Sequence, residues 1–363
     1  MPSKDPKNLC VACKGAEPCA TIRNRPLCQP CFISFADAKT ARRMANYRPQ
    51  RDAPPAKLLL PLSLGASSSI LLNMLDKLRE RQLSKNPLGA GFDLYVLVID
   101  PSSISPQLPS VKAHFDAAKE HYPSHTYSIV PLHSIFDVDL DIKNTLGDFG
   151  FVDDESKSGA DLLDSFRASI STATARADLD NLLLIRLVVA YARKYDCEAV
   201  VWGDSDSRLA AKTLANVAKG RGISLTWQIR DGPSPWGMQF CFPLRELYRS
   251  ELDLYVEQTP KLQSVVVPNT QQAESLSTRD LSIDALMNQY IVTHGEKYPG
   301  VMANVVRTAD KLEQDNSPTS DPECSMCSAP LQSQGSIAVH GNDTNRLCYA
   351  CLRSRDDIRV SNA

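Results

Sequence analysis

Eleven cysteines hold most of the chemistry open to this sequence of 363 residues. Eight of them fall into two blocks. Cys10 and Cys13 form one CxxC pair, and Cys28 and Cys31 form a second after 14 residues. Near the other end, Cys324 and Cys327 are followed after 20 residues by Cys348 and Cys351. Two residues between ligands let a tight turn present both thiolates to one tetrahedral ion at about 2.3 Å. Segments this short cannot build a core alone, and a structural zinc ion supplies roughly 10–16 kcal/mol of folding free energy. The spacing therefore predicts two structural Zn sites in two ribbons, against competing readings of redox CxxC pairs or an iron–sulfur site. Turn-formers beside the pairs (Lys14 and Gly15; Ser328, Ala329 and Pro330) favour metal knuckles. Cys19, out of phase with both pairs, reads as a bystander or a substitute ligand.

The next candidate is a loop. Leu62, Ser63, Leu64, Gly65, Ala66, Ser67 and Ser68 lead from an apolar strand pattern into a helical one. Such a turn aims backbone N–H groups and the positive end of a helix dipole at one spot, which suits a phosphate. One Gly and no Lys rule out the P-loop pattern, and serine caps opening an ordinary helix are the plain alternative. Asp204 and Asp206 flank Ser205 at the end of another strand pattern, either as remnants of an active-site loop or as helix caps. Cys197 and Cys241 are the remaining cysteines between the blocks, and each borders a predicted element, where a small half-buried residue is expected. His114, His121, His125 and His133 share no ligand spacing and read as surface or satisfied histidines.

These residues need elements to position them, and the pattern between the cysteine blocks is α/β. Buried strands are expected at 57–64, 94–99, 127–130 and 199–202. Ile70, Leu71, Met74, Leu75 and Leu78 share one helix face, and 178–195 forms a long apolar helix. Ser207 is expected to cap a helix whose Leu209, Ala210, Thr213, Leu214 and Val217 share a face. Leu244, Leu247, Tyr248, Leu252 and Tyr255 mark one more helix, and 283–291 another. Strands alternating with helices give a doubly wound, mostly parallel sheet covered on both faces. The expected domains are an N-terminal zinc ribbon with a basic arm (1–45), a proline-rich linker (46–56), the core (57–310), a second linker (311–322) and a C-terminal zinc ribbon (323–363). Residues 137–164 hold nine Asp/Glu against two Lys and are expected to be a solvated acidic insertion.

Charge is uneven. The whole chain carries a net −2, but residues 1–57 carry +7 and the remainder −9. A basic arm on an acidic body suits a polyanion. Arg42, Arg43, Arg48 and Arg51, with Tyr47 among them, are the expected RNA-backbone contacts, and a solvated helix face is the alternative. The longest apolar runs, 94–99 and 182–185, are far short of the ~20 residues that span a bilayer. Lys4 and Lys7 have no apolar segment behind them, so membrane and secreted readings are set aside and a cytoplasmic protein is expected.

Read together, these features resemble the cytoplasmic tRNA 2-thiolation protein 2 family. The resemblance rests on both CxxC blocks, on Leu59 to Ser68, on Trp202, Gly203, Asp204 and Ser205, on Lys219, Gly220, Arg221 and Gly222, and on Pro243 to Leu247. It implies a PP-loop ATPase-like fold of the adenine-nucleotide alpha-hydrolase kind. It also implies a part in 2-thiolation of wobble uridine in cytosolic tRNA for Lys, Glu and Gln. The implied partners are tRNA, a catalytic PP-loop thiolase in a heterodimer, and a thiocarboxylated ubiquitin-related modifier as sulfur source. An active PP-loop reads S-G-G-x-D-S; here Ser63, Leu64, Gly65, Ala66, Ser67 and Ser68 stand in its place. Leu64 replaces a Gly that allows close approach to phosphate, and Ser67 replaces the Asp that would organise Mg²⁺–ATP. Both departures argue against adenylation and ATP binding by this chain. The alternatives are an ATP-dependent sulfurtransferase using Cys197 or Cys241, and a zinc-ribbon adaptor with no tRNA role.

Overall fold

The computed structural model describes residues 9–51, 53–87, 89–104, 110–152, 154, 156–268, 281–295, 297–312, 322–331 and 346–359. The predicted second linker, 311–322, lies largely outside them.

A short hairpin, β1 (Ala20–Ile22) and β2 (Arg25–Leu27), opens the chain and stands apart from the main sheet. That sheet has six strands: β3 (Ala56–Pro61), β4 (Phe92–Asp100), β5 (Thr126–Pro131), β6 (Ala199–Val201), β7 (Gly232–Pro233) and β8 (Gln239–Cys241). Their order is β5-β4-β3-β6-β8-β7, parallel except where β7 meets β8. β3 lies in the middle with Leu58, Leu59 and Leu60 fully buried, as an apolar run covered on both faces must be. It stops at Pro61, short of the expected end at 64, and Leu64 turns into left-handed backbone at φ 60°.

Helices cover both faces. In chain order they are α1 (Gln29–Arg43), α2 (Ala66–Lys85), α3 (Lys112–His121), α4 (Ile135–Val138), α5 (Ile142–Asp148), α6 (Gly159–Ser169) and α7 (Ala173–Lys194). Then come α8 (Asp206–Ala218), α9 (Leu225–Gln228), α10 (Arg249–Glu257), α11 (Pro260–Val265), α12 (Ile283–Gly295), α13 (Pro299–Ala309) and α14 (Tyr349–Asp356). One core joins α1, α2, α3, α10 and α11 to the sheet; the other joins α4 to α9 and α12 to α14 to its opposite face. The first cysteine block packs into the former and the second block into the latter.

Four local expectations differ from what forms. Residues 137–164 are no solvated insertion. Their described part builds the end of α4, α5 and the start of α6, burying Ile142, Leu146, Phe149, Leu162 and Leu163, while Asp139 pairs with Arg186. The cap of α8 is Ser205, whose side chain accepts from the Arg208 N–H; Ser207 instead donates to Asp206. Val217 points outward, 59% exposed, so the face of α8 narrows toward its end. Leu244 and Leu247 are buried in the turn before α10 and not on the helix itself. Among the described residues, no helix is long and apolar enough to cross a membrane.

Candidate metal centres and the degenerate loop

The first block folds as a knuckle, a hairpin and a helix start. Lys14 takes left-handed backbone directly after Cys13, its N–H donates to Cys10 C=O (2.8 Å), and the Cys10 N–H donates to Ala16 C=O (2.9 Å). Arg23 and Asn24, both left-handed, make the two-residue turn of the β1–β2 hairpin. Cys28 caps α1 and Cys31 sits in its first turn, where the helix dipole favours thiolate. All four sulfurs lie within 4.8 Å of one another, with Cys13 and Cys28 at 3.7 Å. Tetrahedral bonds of about 2.3 Å require about 3.8 Å between sulfurs, so the pocket fits a single small ion. Backbone hydrogen bonds, that of Cys13 first, draw Cys10 down to about 6, while the Cys28 side chain pushes Cys31 up to about 12. Four thiols this close cannot all ionise without a cation among them.

The second block repeats the design. Ser328 is left-handed after Cys327, its N–H donates to Cys324 C=O (2.8 Å), and Cys324 N–H donates to Ala329 C=O (2.8 Å). Cys348 caps α14, Cys351 follows in its first turn, and Cys327 and Cys348 stand at 3.6 Å. The four sulfurs again lie within 4.8 Å. Gly220, at φ 77° after α8, lets the Tyr349 ring approach where a Cβ would stand 2.9 Å away. Sequence spacing thus grouped the same eight cysteines that the structure brings together, and the second pair of each block stands at the start of a helix. Cys19 joins neither group; its thiol donates to Leu27 C=O at 3.4 Å.

The Ser63–Ser68 loop sits where β3 turns from its neighbour β4 to its neighbour β6, at the carboxyl ends of the strands, the usual ligand crevice of such sheets. Its interior is closed. Leu64 is fully buried, and its C=O accepts from the Val267 N–H at 2.8 Å. The hydroxyls of Ser63 and Ser68 hydrogen-bond each other at 3.0 Å, and Ser68 also donates to Gly65 C=O. Ser67 is half-buried. The loop after β6 packs straight onto this turn: a Cβ on Gly203 would stand 2.7 Å from Ser68 Cα. Asp204 is brought to the same place, but its carboxylate is paired with Lys212 and, at 3.8 Å, with Arg208. Burial pushes Asp206 up to about 7. Cys197 packs in one core and Cys241 against the other, on opposite faces of the sheet, and burial pushes each up to about 11.

The basic arm is divided. Arg43 pairs with Asp231 (3.5 Å) and Glu246 (3.6 Å), and Lys39 pairs with Glu246 (3.3 Å). Arg23 grips Glu251 through two bonds and lies over the Tyr248 ring. Tyr47 hydrogen-bonds Cys241. Arg42, Arg48 and Arg51 are exposed and make no ion pair among the described residues.

Comparison with known proteins follows this geometry end to end. Over 370 residues the chain is 49% identical to the cytoplasmic tRNA 2-thiolation protein 2 of Neosartorya fischeri, covering 99% of this chain and 100% of the relative. The protein of that name from Aspergillus clavatus is 47% identical over 372 residues, with 99% and 100% covered. The chain belongs to the cytoplasmic tRNA 2-thiolation protein 2 family. The model of that family matches residues 282–345, from α12 across the third CxxC pair. The fold of this family member is similar to that of a U34-tRNA thiolase, NcsA from Methanococcus maripaludis with its 4Fe-4S cluster. The TM-score is 0.58 at 14% identity, covering 96% of each chain, so the likeness is one of fold.

Proposed function

We propose that this chain is the non-catalytic, tRNA-binding subunit of a two-chain enzyme that 2-thiolates the wobble uridine of tRNA for Lys, Glu and Gln in the cytoplasm. The product is 5-methoxycarbonylmethyl-2-thiouridine. Its partner is the catalytic PP-loop thiolase of the heterodimer, and sulfur comes from a thiocarboxylated ubiquitin-related modifier. The family likeness supports the pathway. The observation that carries the division of labour is the loop: Leu64 fills the space beneath it, Ser67 stands where the acid belongs, and Asp204 is neutralised by Lys212. The loop thus offers no unpaired carboxylate of its own to organise a metal–nucleotide complex. Zn²⁺ is the ion that suits both four-cysteine centres, since a single-ion, all-sulfur tetrahedron in a purely structural position matches its chemistry.

The competing sulfurtransferase reading needs a reactive thiol. Cys197 and Cys241 are separated by the sheet and pushed away from thiolate, so neither the pair nor either alone suits sulfur transfer. The adaptor reading without tRNA has no support from the family. The test is 2-thiouridine formation with this chain alone, the thiolase alone, and both mixed, given ATP, Mg²⁺ and the sulfur donor. Product is expected only in the mixture; full turnover by this chain alone overturns the proposal. Binding of tRNA should weaken steeply with salt, and replacing Arg42, Arg48 and Arg51 with Ala should flatten the salt slope by about 2–3. An unchanged slope would move the RNA contact elsewhere.

A further inference from the structure

Arg221 stands where the second cysteine centre meets the core. Its side chain is 2% exposed. Nη1 and Nη2 both donate to the Sγ of Cys351 at 3.5 Å, and Nε donates to the two oxygens of Asp178 at 2.9 Å. Asp178 is itself buried and accepts further bonds from Lys219 (3.0 Å) and from Ser354 on α14 (3.1 Å). Lys219 then pairs with Asp284 at the start of α12, at 2.9 Å. Charge therefore alternates along a line that is buried up to its last member: cysteine centre, guanidinium, carboxylate, ammonium, and the half-buried carboxylate of Asp284.

Four thiolates around a divalent ion carry a net charge of −2, which is costly to bury without a positive neighbour. At the second centre three of the four cysteines are buried, and Arg221 is that neighbour. At the first centre Cys13 is exposed, and among the described residues no guanidinium donates to its sulfurs. The planar fork of arginine can hold Asp178 and the sulfur at once, whereas a lysine ammonium is a single point charge.

We infer that Arg221, anchored on Asp178, is the positioning residue of the C-terminal metal centre, holding the Cys351 sulfur so that this centre exchanges its ion slowly while the N-terminal centre stays labile. The inference rests on both four-cysteine groups binding zinc. The full chain, loaded with two equivalents of Zn²⁺, is challenged with excess EDTA, and zinc loss is followed over time. Two phases are expected, and Cys13→Ser should abolish the fast one, which assigns it to the first centre. Arg221→Lys should speed the slow phase about 10- to 100-fold and leave the fast phase within about twofold, the usual size of an outer-shell effect. Asp178→Asn, which keeps the shape but loosens the anchor, should act in the same direction. In cobalt-loaded protein, Arg221→Lys should shift the thiolate-to-cobalt absorption of the slow half alone. An unchanged slow phase in both variants, equal acceleration of both phases, or a single phase in the wild type would each overturn the inference. Failure of the chain to bind zinc at all would instead defeat the metal assignment, before any rate is measured.

Discussion

At the scale of single residues, Leu64 stands out in the turn after β3. Left-handed backbone costs an L side chain about 1–2 kcal/mol, yet Leu64 holds φ 60° with its side chain fully buried. The buried isobutyl group belongs to the core that joins α2 to the sheet. Both truncations should destabilise the fold, but Leu64→Gly should be more stable than Leu64→Ala by about 1 kcal/mol in urea unfolding, although it removes more apolar surface. The opposite ranking would mean the turn is unstrained. Asp206 gives a pH signature. Its carboxyl is raised by burial to about 7, so the folded chain holds this proton more tightly than the unfolded chain. Its contribution is fully present below the unfolded value near 4 and is lost as pH rises toward 7. Stability should therefore fall from about pH 5 to 7 more steeply in the wild type than in Asp206→Asn; parallel curves would contradict the buried assignment. The two four-cysteine groups were legible in the sequence because the spacing of each pair is local information. Arg221 and Asp178 were not legible as a pair, since 43 residues separate them and only packing brings them together.

Among elements, the N-terminal four-cysteine finger also acts as a clamp. The β1–β2 turn thrusts Arg23 into the start of α10, where it meets Glu251, a side chain only 3% exposed. Removing one partner of such a pair leaves a buried charge, so Arg23→Ala should cost roughly 2–3 kcal/mol, between the surface and the fully buried cases. Exposed Arg42→Ala should cost less than about 0.5 kcal/mol. Equal losses in chemical denaturation would show that the finger is not docked through Arg23. Strand order was recoverable only as a class from sequence, because parallel pairing is set by crossovers that no local pattern records. Four of the sheet's six strands were legible from their apolar runs, while β7 and β8, two and three residues long, left no such run. Residues 137–164 misled because total charge hides periodicity: the carboxylates are real, but Ile142, Leu146 and Phe149 recur at helical spacing beneath them. In the arm, composition exposed the positive charge but could not say that Lys39 and Arg43 would find Glu246 in the folded chain.

For the whole molecule, two similar fingers brace opposite faces of one sheet, and the serine-rich turn after β3 lies at that sheet's switch point. A scaffold can keep an enzyme's architecture because stability rests on the apolar cores, while chemistry rests on a few polar groups that can be lost one at a time. Here position 67 is a serine, position 64 is a leucine, and the nearby Asp204 is bound to Lys212. Pyrophosphate exchange into ATP by the isolated chain, with Mg²⁺ and substrate tRNA present, isolates the adenylation step from sulfur delivery. Exchange no faster than a protein-free blank is expected. Sustained tRNA-dependent exchange that disappears in Ser67→Ala would make this chain an enzyme in its own right.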